Sequence, residues 1–313
     1  MLLGAGAPSG AGQVDFEDHT TLDYTTTWTV PDGVEKISVL CIGRGGKGSG
    51  YNGGGGGNLA YFNSITVVPG DVYTIYICGG YNATDDCTLS PYTNDERYTV
   101  GSQIRWLSGS GSAWRLIAYA AQDQYNGSTG GFEWHQTSLV HGSFVENVGG
   151  NGGAGNTSSG WGATNYYFGG GGGAAGYSGD GGNGDTQAQA NANAEAGSGG
   201  GGGGGDHGWY QDPSGNYDGT AWHGGAGGGV GKYGSGSNGA AGAASGYSGT
   251  GGSGGTPGSS VGNGNPGTYG GGSAANFNQG VGTFPTTVGG KGLVRIIWPG
   301  DERYYPSTGT TDQ

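Results

Sequence analysis

The chain has 313 residues, of which 83 are Gly and only ten are Pro, and its formal net charge at pH 7 is −13. This acidic balance argues against nucleic-acid binding, which needs a basic surface, and the low Pro content without a strict Gly-X-Y register excludes collagen. Twenty Tyr, eight Trp and seven Phe predict an ordered protein rather than a disordered low-complexity chain.

No membrane span or export signal is expected. No run of about 18 apolar residues occurs, and residues 1–14 lack the basic and apolar regions of a signal peptide, so we interpret them as an N-terminal arm. The three cysteines are too few for a disulfide framework. Cys41 lies in an apolar run and is predicted to be a buried free thiol, whereas a bridge between Cys78 and Cys87 is left open.

Residues 15–148 have the pattern of β-strands. Two hairpins are expected, one turning at Pro69-Gly70 and one at Gly109-Ser110-Gly111. The apolar run "GLVRIIWPG" near the C-terminus predicts a further strand, which needs partners in the same sheet. We therefore predict an all-β fold with almost no α-helix: a small β-sandwich of residues 15–148 completed by residues 289–299, followed by a tail at 300–313.

Residues 149–288 form a glycine-rich block without a single Leu or Ile, so an ordinary hydrophobic core is excluded there. The block leaves a sheet and returns to it, which is not the behaviour of a tether. Ordering a Gly costs ~1–2 kcal/mol and a net hydrogen bond returns about 0.5–1.5 kcal/mol. An ordered block therefore requires paired backbone groups and close packing, as in extended helices with three residues per turn. We predict a polyglycine II bundle.

Glycine spacing suggests which segments lie inside this bundle. An interior helix must be Gly on every face, and one run meets this demand: Gly199, Gly200, Gly201, Gly202, Gly203, Gly204 and Gly205. A peripheral helix needs Gly at every third residue. Two series fit: Gly170, Gly173, Gly176, Gly179 and Gly182, and Gly246, Gly249, Gly252, Gly255 and Gly258.

No motif in the sequence supports catalysis. Gly43-x-Gly45-x-x-Gly48 follows a strand as in dinucleotide-binding folds, but the next residues, "SGYNGGGGGN", cannot form the helix that would hold the pyrophosphate. The five histidines show no metal-ligand spacing, although His207 and His223 flank one loop and could meet. We expect no enzymatic activity, no cofactor and no metal site.

Aromatic residues interrupt the glycine block in two patches. Exposed Trp and Tyr are common in surfaces that bind carbohydrate or protein. An alternative with equal weight is that these residues cap the ends of the bundle. The candidate receptor-binding residues are Trp161, Tyr166, Tyr167, Trp209, Tyr210, Tyr217 and Trp222.

Several stretches resemble the glycine-rich domain proteins of tailed bacteriophages, especially myoviruses of marine cyanobacteria. The resemblance rests on "TTTWTVPDGV", "VVPGDVYTIYI", "GGGGGAAGYSGDGG" and "VRIIWPG", covers nearly the whole chain and is weakest over residues 81–148. It implies a location in the virion. Similarity to T-even-type fibre-tip adhesins also implies a polyglycine sandwich whose loops recognise the host.

These observations together lead us to expect a phage virion protein, a tail-fibre or fibre-tip adhesin that recognises a host-surface receptor. The alternatives are a structural or decoration protein of capsid or baseplate without a receptor role, and a carbohydrate-binding module. Expected partners are other virion proteins, further copies of the chain as a trimer, and a host glycan or outer-membrane protein. Neither nucleic acid nor membrane insertion is expected. The chain would assemble in the host cytoplasm and lie exposed on the particle surface.

Overall fold

A computed structural model describes residues 10–17, 24–48, 51–77, 101–109, 115–119, 121, 145–147, 149, 157–160, 163–185, 194–212, 221–243, 247–259, 265–278, 288–307 and 310–311. These residues form fourteen β-strands and no α-helix, as expected from the sequence. Among them, no helix has the length and apolar character needed to span a bilayer.

Nine of the strands form two antiparallel sheets. Sheet A has the order β1-β14-β3-β4-β8, and sheet B has the order β2-β5-β6-β7. The strands of sheet A are β1 (Gly12–Glu17), β3 (Lys36–Ile42), β4 (Leu59–Thr66), β8 (Val145–Asn147) and β14 (Leu293–Trp298). Those of sheet B are β2 (Tyr24–Thr29), β5 (Val72–Ile77), β6 (Gly101–Ser108) and β7 (Arg115–Tyr119).

The prediction that the C-terminal strand completes a sheet is confirmed. β14 lies between β1 and β3, with Ile296 opposite Val39 in the register of β3. The hairpin of β6 and β7 is also confirmed, with Ile104 opposite Leu116.

The predicted hairpin at Pro69-Gly70 is wrong. β4 pairs with β3 and β8 in sheet A, whereas β5 pairs with β2 and β6 in sheet B. The turn carries the chain from one sheet to the other, because the Gly70 N–H donates to the Val30 carbonyl (2.9 Å) and the Val30 N–H donates to the Asp71 carbonyl (2.9 Å). Both bonds tie the turn to the end of β2 rather than to β4.

β3 shows how sheet A is buried on both faces. Ile37, Val39 and Cys41 belong to the core shared with sheet B, whereas Leu40 and Ile42 belong to a second cluster on the opposite face. Strands buried on both sides read as continuous apolar runs, as "KISVLCI" does. Cys41 is a buried free thiol, as predicted, and burial raises its pKa. Cys78 and Cys87 lie outside the described residues.

The second face of sheet A is covered by glycine-rich extended segments, which we call the glycine layer. Small and aromatic residues from the layer and from the C-terminal segment pack against Leu40, Ile42 and Leu293; they are Ala174, Ala175, Tyr177, Val230 and Tyr305. The layer consists of residues 43–48, 53–58, 169–185, 194–206, 224–231, 239–242, 247–258, 267–275 and 289–292.

Residues 201–205, the central rod, lie in the interior of this layer and are buried. The N–H groups of the rod donate to carbonyls of three neighbouring stretches. Gly202 and Gly205 donate to Ala174 (2.9 Å) and Gly171 (2.8 Å) on one stretch, Gly203 donates to Thr250 (3.0 Å), and Gly204 donates to Glu195 (2.8 Å). The carbonyls of the rod accept from three other stretches. Those of Gly201 and Gly204 accept from Gly239 (2.8 Å) and Gly242 (2.9 Å), those of Gly202 and Gly205 accept from Gly182 (2.9 Å) and Asp185 (2.9 Å), and that of Gly203 accepts from Gly228 (2.8 Å).

The hydrogen-bond partners repeat every three residues. Gly202 and Gly205 donate to the same segment at Ala174 and Gly171, and the carbonyls of Gly201 and Gly204 accept from the same segment at Gly239 and Gly242. A three-residue period is that of the polyproline II helix. The six neighbouring stretches contain residues 171–174, 182–185, 195, 228, 239–242 and 250; the first two are the arms of segment 169–185 on either side of its turn, and residue 195 precedes the turn into the rod. The central rod is therefore one extended helix bonded to six neighbours, which is the polyglycine II arrangement.

Glycine at every third position faces the rod from neighbouring segments. A Cβ built on Gly170, Gly173 or Gly176 would lie well inside 3.0 Å of rod backbone, and the same holds for Gly249 and Gly252. Since real Cβ atoms do not approach backbone so closely, these positions accept only Gly.

The rod begins two residues later than the glycine run. Gly199 (φ +53°) and Gly200 (φ +83°) have left-handed backbone, and the Gly201 N–H donates to the Ser198 carbonyl (2.8 Å). These residues form a turn into the rod, because the residues of an extended polyproline II helix have φ near −75° and not a positive φ.

Other segments also differ in place from the predicted boundaries. β1 begins at Gly12, inside the predicted arm. Residues 43–48 and 53–58, which we assigned to the sandwich, lie in the glycine layer, since the Gly46 N–H donates to the Gly55 carbonyl and the Gly54 N–H to the Ser273 carbonyl. The predicted tail is packed at Arg303 and Tyr305, both buried. The division into separate domains stays a prediction.

Charged side chains connect sheet A to the glycine layer. Arg295 of β14 is completely buried and donates to Asp15 of β1 (2.6 Å) and to the Thr310 carbonyl (2.8 Å). Lys232, which directly follows segment 224–231 of the glycine layer, pairs with the same Asp15 and lies 3.8 Å from Glu17. Asp15 thus holds one cation from each side of the interface.

Candidate functional site

Four glycine segments reach the same end of the layer, which we call the strand end. The Gly224 N–H donates to the Ala275 carbonyl (3.1 Å), the Ala275 N–H to the Gly169 carbonyl (3.1 Å), and the Gly225 N–H to the Asp206 carbonyl (2.7 Å). Each segment leads directly into or out of a strand at this point: β10 (Ala163–Phe168), β11 (Gly208–Asp212), β12 (Ala221–His223) and β13 (Asn276–Asn278).

These strands form two small antiparallel sheets. β10 lies between β9 (Thr157–Gly160) and β11, and β12 pairs with β13. The pairing brings aromatic positions of distant sequence opposite each other: Tyr166 and Tyr210, Tyr167 and Trp209, and Trp222 and Phe277. Five of the candidate receptor-binding residues therefore lie on strands rather than in loops. Trp161 and Tyr217 lie outside the described residues.

A small apolar cluster closes the base of β10. Phe168 is buried against Ala275, and its ring lies 5.7 Å from that of Tyr51, which packs on the same cluster. At Phe168, therefore, an aromatic residue does cap the glycine layer. The roles predicted for the remaining aromatic residues stay predictions.

Three titratable side chains meet at the strand end. Asp206 and His207 directly follow the central rod. Asp185 lies on a neighbouring segment, and its backbone N–H donates to the Gly205 carbonyl (2.9 Å). The His207 Nδ1 lies 2.5 Å from Asp185 Oδ2 and 3.1 Å from Asp206 Oδ1. Asp206 Oδ1 also accepts the backbone N–H of His207 (2.8 Å).

The cluster is largely buried, and its two carboxylates share one imidazole. The side chains of Asp185 and Asp206 are 1% and 12% exposed, and that of His207 is 29% exposed. Burial, and then the hydrogen bond with the Asp185 carboxyl, raise the pKa of Asp206 to about 6. Asp185 Oδ1 is buried with no hydrogen-bond partner, which is costly for a carboxylate oxygen. Within the described part of the chain, His207 is the only basic side chain paired with either carboxylate.

Sequence reasoning did not find this cluster, and it predicted no metal site. Asp185 and His207 are separated by 22 positions in a region without helix or hairpin periodicity, so their spacing carries no recognisable signal. Only the register between the central rod and the segment that ends at Asp185 brings them together. His223, which the sequence left free to meet His207, lies on β12.

Comparison with known families bears on the whole architecture. The profile of a family described as a glycine-rich domain matches residues 20–244, which includes most of the sandwich and the central rod. The chain belongs to the glycine-rich domain family. No curated protein and no solved structure matches it. In this glycine-rich domain protein, the hydrogen bonds and the close backbone packing of the layer are the physical reason for the high glycine content.

Proposed function

We propose that this glycine-rich domain protein is a bacteriophage virion component, a tail-fibre or fibre-tip adhesin that binds a receptor on the host surface without catalysis. The observation that carries the proposal is the shared origin of β10–β13, which all extend from one end of the glycine layer. The resemblance of the sequence to glycine-rich phage proteins suggests the particle and the host.

The scaffold suits this role because it is rigid where the strands begin. Every described segment that leads into β10, β11, β12 or β13 is held by backbone hydrogen bonds to its neighbours. Binding surfaces on rigid elements lose less conformational freedom when a ligand binds. Trp and Tyr provide large contact areas together with polar groups, which favours glycans or protein loops as ligands.

Trp209 and Trp222 are the two candidate tryptophans that the structure describes on strands at this end of the layer. Trp209→Ala and Trp222→Ala, separately and together, are expected to reduce binding of the purified protein to whole cells of susceptible marine cyanobacteria. Loss of a central aromatic contact costs ~2 kcal/mol or more, which is about 30-fold in affinity. Binding is measured with fluorescently labelled protein by flow cytometry.

Tyr304→Ala is the matched control, since Tyr304 is an exposed aromatic residue on the C-terminal segment. It is expected to bind like the parent. If both Trp variants bind normally while the labelled parent decorates cells, the proposed surface is wrong. If the parent binds no cells and antibodies locate it in the capsid or baseplate, the structural alternative replaces the adhesin.

A further inference from the structure

We propose that Asp185, Asp206 and His207 bind a divalent transition-metal ion of the Zn²⁺ class at the strand end of the glycine layer. The inference does not depend on the proposed adhesin function. It rests on the ligand set, on the buried oxygen of Asp185 that has no partner, and on the way backbone hydrogen bonds fix Asp185 and Asp206.

The ligand set fits such an ion chemically. One oxygen from each carboxylate and the imidazole nitrogen all lie within 4.8 Å of one another. Zn²⁺ binds imidazole nitrogen at about 2.0–2.1 Å and carboxylate oxygen at about 2.0–2.2 Å, which places tetrahedral ligand atoms about 3.3 Å apart. Mg²⁺ and Ca²⁺ prefer sites made only of oxygen, so the imidazole selects against them.

The backbone holds the ligands before any ion arrives. The Asp206 N–H donates to the Tyr247 carbonyl (2.8 Å), and its carbonyl accepts from Gly225 (2.7 Å). Asp185 is fixed by its N–H to Gly205 (2.9 Å) and by its carbonyl to Gly170 (3.2 Å). Two ligand residues therefore stand on adjacent extended segments at a set distance, and small side-chain rotations suffice to open the 2.5 Å contact of Asp185 with His207.

The ion would replace a proton. With no ion bound, a hydrogen bond joins His207 Nδ1 and Asp185 Oδ2 across 2.5 Å. On binding, the proton of this hydrogen bond moves to Nε2 of the ring or to solvent, so that Nδ1 coordinates the ion as part of a neutral imidazole, and the ion also offsets the charge of the two carboxylates. Asp185 Oδ1 gains the partner that it lacks. The partly exposed edge of His207 leaves room for water to complete the coordination shell.

Calorimetric titration of chelator-treated full-length protein with ZnCl₂ near neutral pH tests the proposal. The parent is expected to bind one Zn²⁺ per chain, with a higher melting temperature in its presence. His207→Gln and Asp185→Asn each remove one ligand. Since loss of a mere outer-shell partner costs 10–100-fold in affinity, each variant is expected to bind at least ~100-fold more weakly.

Glu195→Gln is the matched control, because Glu195 is an exposed carboxylate on a segment that also bonds to the central rod. It is expected to bind Zn²⁺ like the parent. X-ray absorption of the loaded parent should show nitrogen and oxygen ligands including one imidazole. Absence of saturable binding by the parent, or equal binding by the parent and by folded His207→Gln protein, would overturn the proposal.

Discussion

At the scale of single residues, the glycine layer is demanding because its neighbours are backbone rather than side chains. The central rod touches carbonyl groups on every side, and these groups are themselves fixed by hydrogen bonds. A flexible side chain could move aside for an added methyl group, but a bonded carbonyl cannot. A single Cβ inside the layer must therefore break hydrogen bonds in two segments at once.

Gly202→Ala tests this argument. Its Cβ would lie well inside 3.0 Å of the Gly228 carbonyl oxygen, so the segments must separate. Overpacking of a tight core costs about 1–3 kcal/mol and occasionally more. We expect the upper end of this range, which lowers the melting temperature by roughly 5 °C or more, as measured by differential scanning calorimetry.

Gly254→Asn is the matched control for this variant. Gly254 also belongs to the glycine-rich region, but its Cβ would meet nothing within 4 Å, and Asn tolerates its φ of +78° better than other residues. Its melting temperature should stay close to that of the parent. Equal effects of the two substitutions would contradict tight packing of the rod.

At the scale of elements, the apolar runs in the sequence predicted the strands well. They did not predict which strands pair, because pairing depends on contacts between residues distant in sequence. β3 and β14 are continuous apolar segments, and their burial on both faces follows from that composition. The turn at Pro69-Gly70 has the composition of a hairpin turn. The Gly70 N–H nevertheless donates to the Val30 carbonyl, and the chain continues into the other sheet. Local turn chemistry does not reveal this contact.

The interface between sheet A and the glycine layer depends on Asp15. Its carboxylate pairs with Arg295, which has no exposed surface, and with Lys232. Asp15→Asn removes the negative charge that pairs with both cations, and breaking a buried ion pair costs about 3–5 kcal/mol in stability. Because Asp15 is 20% exposed, we expect about 2–3 kcal/mol, measured by equilibrium denaturation.

An exposed ion pair provides the comparison. Lys36 and Asp301 lie 3.1 Å apart, with side chains 45% and 50% exposed. Pairs of this kind contribute little to stability, so Asp301→Asn should leave the denaturation midpoint almost unchanged. A loss as large as that of Asp15→Asn would show that burial of Arg295 is not what makes the Asp15 pair important.

At the scale of the whole molecule, the protein has three layers: sheet B, sheet A and the glycine layer. The absence of Leu and Ile from residues 149–288 predicted a layer built on backbone hydrogen bonds, and Gly170 and Gly173 predicted a face toward an interior rod. The identity of the neighbours was not predictable, because a bond from Gly203 to the Thr250 carbonyl leaves no trace in side-chain composition. The meeting of Asp185 with His207 was hidden for the same reason.

Amide hydrogen exchange of residues 201–206, followed by mass spectrometry, tests the central claim most directly. Each N–H from Gly202 to Asp206 donates to a neighbouring segment, so exchange should require opening of the layer. We predict that this peptide exchanges orders of magnitude more slowly than in the denatured chain, at a rate similar to β3 and β14. Exchange as fast as in the denatured chain, with β3 and β14 still protected, would contradict a folded glycine layer.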